Sequence, residues 1–291
     1  MDLVIDSLRV AHGREDLALA DGETFLGGGT WLYSQPEHHL APENTEVSSD
    51  APTEGTRVRG LVDLTALDWA PLTVTDDGLS IAATCTIAEL TRVRPDAHPA
   101  WPAVRLVQQC ADALLASWKV WNVATVGGNI CLSLPAGAMI SLAVALDADA
   151  VTWLAGGDER RLPVAELVTG PGRNSLARGE VLRSIELPRR ALESRTAFRQ
   201  IALSPLGRSG ALVTGRLDAD GTTTLTVTAS TPAPVVLRFA APPSARAVRA
   251  AVDGIETWFD DVHGAPDWRA HVTAVLAEEV RAELAQDGGV R

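Results

Sequence analysis

The chain has 291 residues, 46% of them hydrophobic and 21% charged, an ordinary balance for a globular protein that excludes wholesale disorder. Acids outnumber bases 37 to 25, for a formal net charge of −12. That argues against a nucleic-acid binder, which needs a basic footprint over phosphates.

In chain order, Phe25-Leu26 runs into Gly27-Gly28-Gly29 and then Thr30-Trp31-Leu32, a strand delivered into a glycine-rich turn. Residues 35–56 are polar and acidic, too poor in apolar surface to order themselves, and predict a mobile loop. Leu61–Leu64 and Leu72–Val74 are strand-like. Leu79–Ala83 follows the Asp76-Asp77-Gly78 turn as the second arm of a hairpin. Thr86 with Glu89 has the spacing of a capping box. The Ala- and Leu-rich run from Trp101 to Lys119 predicts one helix, and Met139 to Leu146 a second, apolar one. Strand character resumes over Ala150–Leu154. From Thr196 the strands lengthen, notably Ala211–Leu217 and Thr223–Ala229. A final amphipathic helix places Val272, Val275, Leu276, Val280 and Leu284 on one face. The change of pattern near Leu187-Pro188-Arg189-Arg190 predicts a boundary, giving domains 1–190 and 191–291.

No stretch approaches the roughly 20 apolar residues of a membrane helix. The N-terminus carries acids where an export signal needs bases. Cys85, Cys110 and Cys131 are widely spaced, with no C-x-x-C, so they suit a reducing compartment and no disulfide, cluster or zinc site. A cytoplasmic protein without a metal of its own is expected.

Several enzyme motifs fail. Lys119, the only lysine, follows Trp118, whereas a P-loop lysine stands behind a glycine. Gly207-Arg208-Ser209-Gly210-Ala211 lacks the last glycine of a nucleophile elbow. Gly170-Pro171-Gly172 lacks the third glycine of a dinucleotide fingerprint. His38-His39 has no partners at ligand spacing. No catalytic residue emerges. Two glycine clusters survive, Leu26-Gly27-Gly28-Gly29-Thr30 and Thr125-Val126-Gly127-Gly128-Asn129. Glycines let backbone N–H groups approach a phosphate and reach positive φ, forming an anion-binding concavity. Two such loops about 100 residues apart could converge on the two halves of a pyrophosphate, although each alone also reads as a tight turn.

With these residues in hand the chain resembles the flavin-binding, or medium, subunit of the molybdenum hydroxylases, the xanthine dehydrogenase and carbon monoxide dehydrogenase family. LGGGTWL is similar to the family's first FAD loop, and LVDLTAL to the strand after it. LSIAATCTIAEL resembles the strand and helix before the middle helix. VWNVATVGGNICLSLPAGAMISLAVALDADA resembles the second FAD loop and the helix behind it. GPGRNSLARGEVLRSIELP resembles the close of the flavin domain, and the tail from Thr196 the family's C-terminal domain.

The resemblance implies an α+β fold: a two-subdomain FAD-binding domain of the PCMH type holding extended FAD, followed by an α+β C-terminal domain. It implies cofactor contacts at Leu26, Gly27, Gly28, Gly29, Thr30 and Trp31, and at Thr125, Gly127, Gly128 and Asn129. It adds Val181 and Leu182 as an apolar pair near the cofactor, and Arg199 where the family usually has a lysine by the flavin. A cation there would stabilise the reduced ring. Leu134 and Ala138 stand where serine and aspartate are common, and Trp121 where arginine is usual. Each lost polar contact is worth about 1–3 kcal/mol, so weaker FAD binding is implied. The implied role is electron transfer from 2Fe-2S clusters to an external acceptor. The clusters and the molybdenum cofactor would lie on a small and a large partner subunit, in a heterotrimer. A flavin-poor structural subunit and a stand-alone flavin oxidase are the alternatives.

Overall fold

The computed structural model describes residues 5–34 and 58–286; the acidic loop expected over 35–56, with His38-His39, lies outside the described residues. Three short parallel strands open the fold: β1 (Ser7–Val10), β2 (Glu23–Leu26) and β3 (Gly60–Asp63), with β3 in the middle. Val62 of β3 and the flanking residues Ala11, Leu17, Leu64 and Leu67 make a small core.

A five-stranded antiparallel sheet follows. It contains β4 (Leu72–Thr75), β5 (Gly78–Ala82), β6 (Asp149–Trp153), β7 (Glu159–Pro163) and, after the short pair β8 (Val168–Gly170) and β9 (Arg173–Asn174), β10 (Val181–Pro188). The order is β4-β5-β10-β6-β7. The turn into β5 needs Gly78, because its φ is 146° and an added Cβ would lie 2.0 Å from the Leu187 carbonyl oxygen.

The connection from β5 to β6 carries the helices α1 (Ile87–Leu90), α2 (Arg105–Ala113), α3 (Trp118–Trp121), α4 (Val126–Cys131) and α5 (Ala138–Ala145). The capping box at α1 forms: the Glu89 N–H donates to Thr86 Oγ1 at 3.2 Å, and the Thr86 N–H donates to the Glu89 carboxylate at 2.9 Å. The single helix expected from Trp101 to Lys119 is instead a 3-10 turn over Pro102–Val104, then α2, an extended break and α3. Propensity favours a continuous helix, but Leu114 leaves the helix with ψ 111° to pack on the main core, a tertiary override of a weak local preference.

After α6 (Val164–Leu167), the five-stranded sheet ends at Pro188. Helix α7 (Arg189–Leu192) leads to a second antiparallel sheet, β11 (Arg195–Ile201), β12 (Ala211–Leu217), β13 (Thr223–Thr228) and β14 (Val235–Phe239), in sequential order. Helices α8 (Ala245–Asp253) and α9 (Pro266–Ala285) follow. Gly215 lets α9 lie close on the sheet, since a Cβ there would meet Val280 Cγ1 at 2.4 Å. Val272, Leu276, Val280 and Leu284 are buried in that interface as expected. Val275 is not: it is 46% exposed, because the 100° step per residue turns it off the stripe the others share.

Helix α5 explains how the two sheets join. All eight of its residues are buried, and a helix apolar all round belongs inside a protein. One side packs in the main core, and the other meets β12 and β13, where Ser141 Oγ lies 2.7 Å from Thr228 Oγ1. At its C-terminal corner Asp147, with φ 55°, takes arginines from three elements. Arg190 of α7 and Arg238 of β14 donate to its carboxylate, and Arg216 of β12 lies 3.6 Å away. No helix among the described residues is long and apolar enough to cross a membrane.

Candidate functional site

Strand β2 delivers the chain into Gly27-Gly28-Gly29, and all three glycines are required where they stand. An added Cβ at Gly28 would lie 1.8 Å from the Val123 carbonyl oxygen, and at Gly27 it would lie 2.8 Å from Thr125 Oγ1. The two glycine clusters, far apart in sequence, are therefore packed closely together. Gly29 has φ 67°, the left-handed region open to glycine, and the Tyr33 ring covers the face a Cβ would use.

The two loops differ in what their N–H groups do. In the second, Val126 donates to the Cys85 carbonyl at 2.8 Å and Gly127 to the Ala83 carbonyl at 2.9 Å. Gly128 donates to Thr125 Oγ1 at 3.0 Å and Asn129 to the Thr125 carbonyl at 3.0 Å. These four N–H groups of the second loop are therefore taken up within the chain. The loop is zipped onto the end of β5, and Gly127 is glycine so that it can seat on Ala83, whose methyl would lie 2.5 Å from an added Cβ. In the first loop the N–H groups of Gly27, Gly28, Gly29 and Thr30 have no hydrogen-bond partner among the described residues. Four successive donors unused among the described residues are the ones open to an anion.

Behind the second loop, Asn129 Oδ1 accepts the Met139 N–H at 2.9 Å, tying the loop to the start of α5. Ala138, where aspartate is common, is fully buried there. Trp121 Nε1, at the end of α3, is a buried donor without a partner among the described residues. Val181 and Leu182 open β10 and are both buried, Val181 in the small core of the first sheet and Leu182 in the main core. They join the two subdomains. Arg183 is the bulge residue after them, its carbonyl accepting the Ala83 N–H at 3.0 Å, so this bulge backs the second loop.

Arg199 is placed otherwise. It lies on β11 with its guanidinium on Glu279 at 3.0 Å and Glu283 at 2.7 Å, both on α9. No contact joins it to either loop among the described residues, and its charge is already balanced. Among the described residues, a cation that does approach the first loop is Arg208, from the β11–β12 connection, whose guanidinium carbon is 5.7 Å from the centre of the Trp31 ring. Its only sequence signal is the failed elbow motif, which says nothing of Trp31.

No group of three or more His, Cys, Asp or Glu among the described residues is placed to hold a metal. The cysteines are unpaired, and burial pushes the Cys85 and Cys131 thiols up to about 12 and Cys110 higher still, which keeps them protonated and poor nucleophiles. What remains is a backbone cradle for an anionic group between two α+β lobes, an arrangement suited to a nucleotide cofactor.

Comparison with known proteins fixes the class. Residues 28–190 match the family described as the FAD binding domain in molybdopterin dehydrogenase, and the chain belongs to that family, whose cofactor is FAD. Over 174 residues it is 27% identical to xanthine dehydrogenases 1 and 2 of Arabidopsis thaliana, a match covering 57% of this chain and 13% of those proteins. The chain thus spans a small part of these relatives. In fold it is similar to a chain of quinoline 2-oxidoreductase from Pseudomonas putida 86, with a TM-score of 0.78 at 18% identity, covering 98% of this chain and 99% of that one. It is also similar to a chain of carbon monoxide dehydrogenase from Hydrogenophaga pseudoflava, with a TM-score of 0.76 at 18% identity over 96% and 97% of the two chains.

Proposed function

We propose that this chain is the flavin-carrying electron-transfer subunit of a molybdenum hydroxylase-type complex. The four N–H groups of Gly27 to Thr30, without a partner among the described residues and set against the second loop by glycines that admit no Cβ, carry the reading. They fit a pyrophosphate, which needs several close donors and no side chain in the way. The second loop supports the first: Thr125, Gly127, Gly128 and Asn129 shape and brace it. Leu26 and Trp31 flank the cradle. Val181 and Leu182 hold the lobes that close around it. Arg199 falls outside the proposed site because two carboxylates already take its charge.

When bound, FAD accepts two electrons and can release them singly. This chain's own part is to anchor the cofactor through backbone donors, which carry no charge and do not titrate. In this reading residues 1–190 hold the flavin, and residues 191–291 pack over α5. The molybdenum cofactor and the 2Fe-2S clusters reside on large and small partner subunits, in the cytoplasm. The likeness in fold to a chain of a Cu,Mo-CO dehydrogenase, with a TM-score of 0.76 at 17% identity, supports that assembly.

A tagged copy expressed in its native host, purified and assayed for metals, tests the reading. Iron and molybdenum should co-purify with the chain, and the isolated subunit should leave hydroxylase substrates unoxidised. A metal-free preparation that turns over a reducing substrate at an enzyme-like rate would make it a stand-alone oxidase instead.

A further inference from the structure

Arg208 combines three features that the flavin reading leaves unused. It sits in a connection whose base is pinned: the Gly210 N–H donates to the Ile201 carbonyl at 2.8 Å, the Gly207 N–H donates to the Ser204 carbonyl at 2.9 Å, and Ser209 and Gly210 are buried. The chain carries 37 acids against 25 bases, yet Arg208 makes no ion pair or hydrogen bond among the described residues. Among the described residues its charge faces the ring of Trp31, far away in sequence, at 5.7 Å. Trp31 directly follows the four N–H groups of Gly27 to Thr30.

A partly buried guanidinium with no counter-charge among the described residues is incompletely satisfied there. An indole face attracts an arginine without using its N–H donors, and those donors match phosphate oxygens bidentately. We propose that Arg208 is a second-domain phosphate clamp: it reaches from the β11–β12 connection over Trp31 to the diphosphate lying on the first glycine loop. The inference rests on the flavin reading of that loop. It makes the C-terminal domain part of the cofactor site, so that FAD joins the two domains. The sequence separation between Trp31 and Arg208 means that this clamp exists only when the domains are docked.

The test is titration of FAD and, separately, ADP into the full chain, wild type, Arg208→Gln and Arg208→Lys, followed by fluorescence and calorimetry. The clamp predicts that Arg208→Gln raises the dissociation constant of both ligands at least tenfold. Arg208→Lys should recover part of the loss, as a point charge without the fork. Wild-type affinity should fall as salt rises, more steeply than that of Arg208→Gln. The melting temperature without ligand should stay within a degree or two of wild type in the Lys variant, which guards against loss of folding in the Gln variant. FAD bound equally by wild type and both variants overturns the clamp. FAD weakened with ADP unaffected also overturns it, by placing Arg208 at the flavin end. A wild-type chain that binds neither ligand overturns the flavin reading itself.

Discussion

Gly28 is the residue on which the cradle depends most. A methyl at that position would lie 1.8 Å from the Val123 carbonyl oxygen, and neither backbone can yield without parting the loops. Gly28→Ala should cost about 1–3 kcal/mol, the usual penalty for forced overpacking, and weaken FAD at least tenfold. Gly156→Ala, where a Cβ meets nothing within 4 Å, is the control and should alter neither thermal melting nor FAD titration. At Arg199 the residue and its expected role part company. Its partners Glu279 and Glu283 are themselves partly exposed, so Arg199→Gln should cost at most about 1 kcal/mol, as exposed ion pairs do. The flavin potential should stay unchanged in a dye-coupled titration. A shift of about 30 mV, equivalent to about 1.4 kcal/mol for a two-electron couple, would return Arg199 to the flavin.

Among the elements, helix α4 and helix α5 behave as one part because Asn129 joins them. Asn129→Ala removes the acceptor of the Met139 N–H at the first turn of α5. The expected cost is about 0.5–2 kcal/mol, as for loss of a helix cap, read as a lower midpoint in urea, with a matching loss of FAD affinity because the loop loosens. The glycine loops were legible in the sequence because runs of glycine beside Thr30 and Thr125 have few physical causes. The strands of the hairpin and the capping box at Thr86 were legible for a related reason: their signals are local. What was not legible depends on distant partners. The N–H groups of Val126 and Gly127 are taken by Cys85 and Ala83, which no local signal announces. The helix expected to Lys119 breaks because Leu114 finds the core, and Arg208 meets Trp31 only through the approach of two segments far apart in the chain.

Across the whole molecule the two large sheets are held together by α5 and by the Asp147 corner. Burial would raise the Asp147 pKa, but hydrogen bonds from Arg190 and Arg238, with the charge of Arg216 nearby, bring it down from 3.8 to about 2. A depressed carboxylate contributes stability that is present above its unfolded pKa and lost as pH falls through the folded one. The contribution is about 2 kcal/mol, from roughly 1.4 kcal/mol per pKa unit. In chemical denaturation, the stability gap between wild type and Asp147→Asn should be constant above about pH 5 and close between about pH 4 and 2. A gap that does not change with pH would remove Asp147 from the lock between the sheets.

Whether the first glycine loop and its neighbours hold FAD without a covalent bond can be read from one visible spectrum, that of the purified chain reconstituted with FAD, before and after acid precipitation. The protein should be yellow and stabilised on melting by about 2.7 kcal/mol at a hundredfold excess of FAD over its dissociation constant, and on precipitation the colour should pass wholly into the supernatant. A chain that stays colourless with FAD in excess, or colour that stays in the pellet, would contradict non-covalent binding at this cradle.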